Sequence, residues 1–261
     1  MSNQPQKIRL NKFLAERLGF SRREADELIS AGKVTVDGKT AILGDRIDKN
    51  NKVCYNKKII PFATEFSYLA FHKPVGYVCS RRAQGSTPTL YELLPAKYQK
   101  LKTVGRLDKD SSGLILLTND GDFAFAMTHP KFRKQKVYEV ELNKPLEPLH
   151  QQMISEYGVM LDDGPSQFKV IKDDFAKPSS SGRSSRPSSR GSSLRPRSNC
   201  GCPSEEVLQN QYIVTLSEGR NRQIRRTFSA LGYQVAKLHR TQFGKYALNN
   251  LKPGEYEEFK I

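Results

Sequence analysis

The sequence has no run of about 18 apolar residues, so no helical membrane span is expected. Its opening stretch, MSNQPQKIRL, lacks the apolar centre of a secretory signal. Cysteine is scarce and badly placed for structure. Cys54 and Cys79 stand alone, and Cys200 and Cys202 are one residue apart in a Ser-rich stretch. No second close pair completes a zinc set. A reduced, cytoplasmic protein without disulfide or metal is therefore expected. No glycine-rich nucleotide loop is present, and no cofactor is expected. Acidic residues are also in short supply, 27 against 43 Lys and Arg, for a formal charge of +16. Such a field gathers polyanions and speeds their capture, so nucleic acid is the partner class to test first. The sequence shows no protein partner, and a monomer is expected.

The chain's 261 residues can bury one large core and one small one. In the first 40, Leu10, Phe13, Leu14 and Leu18 fall on one face of a helix that Gly19 ends. Ser21 and Glu24 have the spacing of a capping box for a second helix, with Ala25, Leu28 and Ile29 inward and Gly32 as the stop. Val34 and Val36 alternate as a strand before the tight-turn pair Asp37-Gly38. This small unit with its linker takes residues 1–62. A larger domain takes 63–261, with apolar strands expected at 68–71, 114–117, 137–142, 167–171 and 211–216. Helices are expected at 122–128, 147–157 and 222–231. Since helices do not follow every strand, the pattern reads as α+β with a largely antiparallel sheet. Residues 176–206, rich in Ser, Arg, Pro and Gly, have almost nothing apolar to bury and read as a disordered insert.

The segment GRLDKDSSGLILLTNDG at 105–121 carries the chemistry. Arg106 and Asp108 are two apart, so in extended backbone they share a face. The apolar run Leu114–Leu117 then anchors the loop, a rigid way to present a carboxylate. Asp108, Asp110, Ser112 and Gly113 partly imitate a calcium loop, but Asn119 stands where that loop needs a bidentate Glu. Composition and spacing alone leave open that Asp108 only caps a turn.

Two resemblances narrow the reading. The stretch RLNKFLAERLGFSRREADELISAGKVTVDGK at 9–39 resembles the αL RNA-binding motif of a small-subunit ribosomal protein and of many RNA-modifying enzymes. Segment 105–121 is similar to the signature of the bacterial ribosomal RNA pseudouridine synthases of the RsuA/RluB type, with Ser111 where that pattern usually has Thr. Lys73-Pro74-Val75-Gly76, Lys136–Val140 and the stretch from Leu216 to Arg226 resemble further motifs of that family.

The resemblance implies a pseudouridine synthase catalytic domain after a small αL domain, and an isomerase of ribosomal RNA. It implies Asp108 as the catalytic carboxylate. Arg106 would displace the target base, Tyr138 would pack on the uracil, Leu216 would lie against it, and Arg225 would pair with Asp108. Arg22, Arg23, Lys33, Lys73, Arg222 and Arg226 are the expected phosphate contacts. The form NRQIRR leans toward large-subunit RNA. Small-subunit RNA, transfer RNA and a non-catalytic ribosome-assembly role are the alternatives. The last is disfavoured because mere binding has no use for a carboxylate facing a polyanion.

Overall fold

The computed structural model describes residues 7–62, 65–81, 85–173 and 210–261. The insert read at 176–206 lies outside the described residues. The chain gathers into two compact units. One comprises Met1–Lys109, Gly113–Phe132 and Asn250–Ile261, the other Asp110–Ser112 and Arg133–Asn249.

The first unit opens with β1 (Ile8–Arg9), α1 (Leu10–Arg17) and α2 (Arg22–Ser30). The capping box is present as read. The Ser21 hydroxyl accepts from the Glu24 amide at 3.1 Å, and the Glu24 carboxylate accepts from the Ser21 amide at 2.7 Å. Leu10, Phe13, Leu14, Ala25 and Ile29 turn inward onto Val34, Val53 and Ile60. Burying each large side chain contributes ~1.5–3 kcal/mol, which is what holds two short helices together. Strands β2 (Val34–Val36) and β3 (Lys39–Thr40) form the hairpin at Asp37-Gly38. Both turn residues have positive φ, 51° and 82°, as that turn requires. β4 (Arg46–Ile47) pairs with β1, and β5 (Val53–Tyr55) joins β2 to β6 (Lys58–Ile59).

The same unit contains an antiparallel sheet. β7 (Tyr68–Lys73) lies between β9 (Ser112–Thr118) and the C-terminal strand Tyr256–Glu258, and β8 (Lys102–Val104) covers the other edge of β9. Leu69, Phe71 and all of Leu114–Leu117 are fully buried. The turn after β9 leads into α3 (Gly121–Thr128), whose N-cap Asp120 accepts from the amides of Asp122 and Phe123. The end of α1 is tied down by cations from this part of the unit. The Lys102 ammonium donates to Ala15 O at 3.1 Å and Phe20 O at 2.7 Å, and Arg81 donates to Gly19 O at 3.0 Å. Carbonyls at a helix C-terminus lack internal partners and carry partial negative charge, so cations suit them. Burial holds the Lys102 ammonium below its ordinary pKa.

The second unit is also built on an antiparallel sheet. β10 (Lys136–Leu142) is flanked by β14 (Gln211–Leu216) and β15 (Val235–Phe243). β13 (Lys169–Lys172) lies outside β14, and β16 (Tyr246–Ala247) outside β15. Between them come α4 (Pro148–Gln152), a hairpin of β11 (Val159–Leu161) and β12 (Gly164–Ser166), and the basic helix α5 (Gln223–Ala230). The helix expected at 147–157 is α-helical only to Gln152. Met153–Tyr157 winds wider as a π turn, closed by Gly158 N donating to Met153 O at 2.8 Å. β15, nine residues long, has no counterpart in the sequence reading, because VAKLHRTQF shows too few apolar residues to mark it. The α+β class with antiparallel sheets stands as expected. No helix among the described residues is long and apolar enough to cross a membrane.

Candidate active site

Asp108 lies on the loop between β8 and β9. Gly105, at φ +73°, takes a left-handed conformation that other residues enter at a cost. The next residues alternate: Arg106 is exposed, Leu107 is buried, and Asp108 is half-buried. Arg106 and Asp108 thus face one way while Leu107 plugs the core. The loop is held on both sides of Asp108. Cys79 Sγ donates to Leu107 O at 3.3 Å and accepts from Leu107 N at 3.4 Å, and Gly76 N donates to Lys109 O at 2.8 Å. The turn Lys73–Gly76 and Cys79 therefore act as the mould for the aspartate loop, a role that no pattern in the sequence discloses. Lys73, expected on the phosphate-facing surface, is corrected by its position. It has no exposed surface, and its ammonium donates to Pro74 O at 3.0 Å. A group without surface meets no phosphate.

In the second unit, Tyr138 and Leu216 come together. Tyr138 pairs with Val214, and Lys136 with Leu216, in the β10–β14 register. Tyr138 and Leu216 are thus diagonal neighbours on one sheet face, within reach of each other. Both are buried, at 8% and 5% exposure. Two cations share that face. Arg240 stands opposite Tyr138 on β15. The Lys136 ammonium donates to Glu218 O at 3.1 Å and lies 5.3 Å from the centre of the Phe243 ring. Burial, together with the neighbouring Arg240 charge, lowers the Lys136 pKa to about 8.

The basic residues before and within α5 are bound to carboxylates. Arg222, left-handed at φ +46°, meets both oxygens of Asp110, at 3.2 and 3.0 Å. Arg225 reaches the same carboxylate through Nε at 3.2 Å and donates to Asp110 O at 2.8 Å and Val235 O at 2.7 Å. The sequence reading assigns Arg225 to Asp108; within its own unit Arg225 pairs with Asp110, two residues along. Burial alone would raise the Asp110 carboxyl, but the Arg222 hydrogen bond and the charges of Arg225 and Arg222 outweigh it and hold it below its ordinary value. Arg226 binds Asp162 and Asp163 at the tip of the β11–β12 hairpin, and Arg220 meets Asp163 at 2.9 Å. Arg22 and Arg23, in the first turn of α2, and Lys33 just beyond it are exposed.

Known proteins share both the sequence and the fold. A model of the RNA pseudouridylate synthase family matches residues 67–230, and a model of the S4 domain matches residues 8–53. The chain belongs to the RNA pseudouridylate synthase family. It is an isomerase that converts uridine to pseudouridine. It is 33% identical over 253 residues to the ribosomal small subunit pseudouridine synthase A of Pasteurella multocida (strain Pm70), covering 95% of this chain and 94% of that protein. It is 34% identical over 261 residues to the ribosomal large subunit pseudouridine synthase B of Escherichia coli (strain K12), covering 97% of this chain and 79% of that one. Among solved structures, a crystal structure of a pseudouridylate synthase superposes with a TM-score of 0.61 at 28% identity, covering 97% of this chain and 96% of the other. The S4 match falls on the helix pair and hairpins built around Leu10, Phe13 and Ile29.

Proposed function

We propose that this synthase isomerises a uridine of ribosomal RNA, with Asp108 as the carboxylate that acts on the ribose. The observation that carries the assignment is the two-sided hold on the Asp108 loop. Hydrogen bonds to Leu107 and Lys109 fix the backbone on either side of Asp108 while its side chain stays half-buried. A carboxylate held in this way needs little reorganisation before reaction.

The reaction breaks the bond from the ribose to nitrogen 1 of uracil and forms one to carbon 5. The proton lost from carbon 5 is matched by one gained at nitrogen 1, so nothing is consumed. A base cannot react inside its stack, and extruding it costs a few kcal/mol. Tyr138 offers an aromatic face and Leu216 an apolar one to receive it; base–aromatic stacking returns ~1–3 kcal/mol. Arg106, exposed beside Asp108, takes the place the base leaves. Arg225 supports the site through Asp110. Arg22, Arg23 and Lys33 gather RNA on the S4 domain.

Ribosomal RNA is proposed because the relatives matched over most of the chain carry ribosomal names. The large-subunit RNA is the first substrate to test. Small-subunit RNA is the second reading, favoured by the small-subunit relative that this chain covers over 94% of its length. The experiment is to incubate the purified protein with each RNA and map the pseudouridines formed. Wild-type protein should modify one of the two. Asp108→Asn should yield no product, at least 1,000-fold below wild type on the order expected for loss of a covalent or basic catalyst, while RNA affinity stays within about twofold. Turnover by the Asn variant would sink the role given to Asp108. Product from neither RNA would sink the substrate.

A further inference from the structure

Arg240 is 2% exposed, and the reaction as assigned gives it no part. A fully buried arginine is rare, because its charge must be compensated inside the protein. Its position is specific. It faces Tyr138 directly across the β10–β15 pair, where the register shifts between Val137 and Tyr138. Such an irregularity re-aims the side chain that follows it. One guanidinium nitrogen donates to the Tyr138 hydroxyl at 3.4 Å, a long bond. The guanidinium carbon lies 5.9 Å from the centre of the Tyr138 ring and 5.1 Å from that of Phe243. One cation thus touches the tip of the tyrosine, approaches its ring, and rests on a second ring.

We propose that Arg240 is a positioning residue that fixes the rotation and plane of the Tyr138 ring before the target uracil arrives. This inference rests on the assignment of Tyr138 as the ring that receives the base. The physical reason is entropic. A tyrosine ring with room to turn must be ordered by the incoming base, at a cost to the reaction; a ring already held has lost that freedom on folding. A guanidinium suits the task better than an ammonium. It is planar, so it can rest on Phe243 with one edge aimed at the Tyr138 hydroxyl. The Lys136 ammonium on the same face has a pKa of about 8 and would not keep a constant charge. Arg240 has almost no surface, so a direct contact with RNA phosphate is not available to it.

The test is a double-mutant cycle with an independent probe of the ring. Arg240→Lys, Tyr138→Phe and the double variant are compared in single-turnover pseudouridine formation at saturating ribosomal RNA, alongside RNA affinity. Separately, 3-fluorotyrosine at position 138 reports ring orientation by fluorine NMR, in protein with and without Arg240→Lys. The expected result is a rate loss of tenfold or more for Arg240→Lys, with affinity changed less than twofold. In the Tyr138→Phe background the same substitution should lower the rate less than threefold. The fluorine spectrum should show one dominant ring orientation when Arg240 is present and two in the Arg240→Lys variant. Rate losses that simply multiply, an affinity loss equal to the rate loss, or an unchanged fluorine spectrum would each overturn the proposal. Absence of product from the wild-type protein would instead count against the proposed substrate. The fluorine spectra would then decide on Arg240 by themselves, two orientations in the variant supporting it and one refuting it.

Discussion

Two clusters of basic residues look alike in sequence and differ in what surrounds them. Arg22, Arg23 and Lys33 stand exposed on the S4 domain. Arg220, Arg222, Arg225 and Arg226 each rest on a carboxylate in the free protein. An exposed charge acts at a distance, and salt screens it. A paired one is already committed, and what it contributes is position. The first cluster is built to recruit a polyanion. The second fixes the backbone and carboxylate of Asp110, because two of its arginines converge there.

Of the two clusters, the paired one should give the larger effect. Arg225→Lys replaces a planar fork that reaches an Asp110 oxygen at 3.2 Å and carbonyls at 2.7 and 2.8 Å. A lysine keeps the charge but not the planar fork that spans the two carbonyls, and each charge-assisted hydrogen bond lost costs ~1.5–3 kcal/mol. We expect the single-turnover rate at saturating RNA to fall by roughly 10- to 100-fold, since about 1.4 kcal/mol is a factor of ten. Arg226→Lys, at a solvent-facing pair, should fall less than about threefold. Equal rates for the two variants would erase the distinction between a positioning pair and a surface pair.

A smaller effect belongs to the exposed cluster. Arg22→Gln with Arg23→Gln should weaken RNA binding by about tenfold at moderate salt and reduce the salt slope by roughly 1 to 2, the share of two phosphate contacts. The rate at saturating RNA and the melting temperature should not move, because neither side chain is packed. A lost rate with unchanged affinity would show that these arginines do more than recruit.

The smallest effect sharpens the comparison by converting one class into the other. Asp162→Asn with Asp163→Asn frees Arg226 and relaxes the hold on Arg220. One released cation and two fewer carboxylates on the hairpin should raise RNA affinity by about two- to threefold and steepen its salt dependence. A fall in affinity would mean that the hairpin carboxylates hold these arginines in the geometry that RNA needs.

Much of this molecule is written locally. The capping box of Ser21 and Glu24, the inward face of Leu10, Phe13 and Leu14, and the hairpin at Asp37-Gly38 are all set within a few residues, and each appears as read. The aspartate loop is legible for a similar reason. Alternation around Leu107 and the apolar run of β9 fix which way Asp108 and Arg106 face. The spacing of Tyr138 and Val140 on strand β10 likewise puts them on one face.

What the sequence leaves undecided concerns partners far apart along the chain. Asp110 is separated by 112 residues from the Arg222 it binds. No local pattern states that Arg225 meets Asp110 as well. Lys73 belongs by charge to the surface, yet at the end of β7, opposite Gly113, it has no exposure. Arg240 shows the same limit from the other side. Its neighbours Lys237, His239 and Gln242 make β15 look like a solvated stretch, and only pairing with β10 turns that face inward, onto Tyr138. Local spacing fixes the direction a side chain takes. The group it meets there is set by how strands distant in sequence come into register, and a change of a few ångströms in that register selects a different partner.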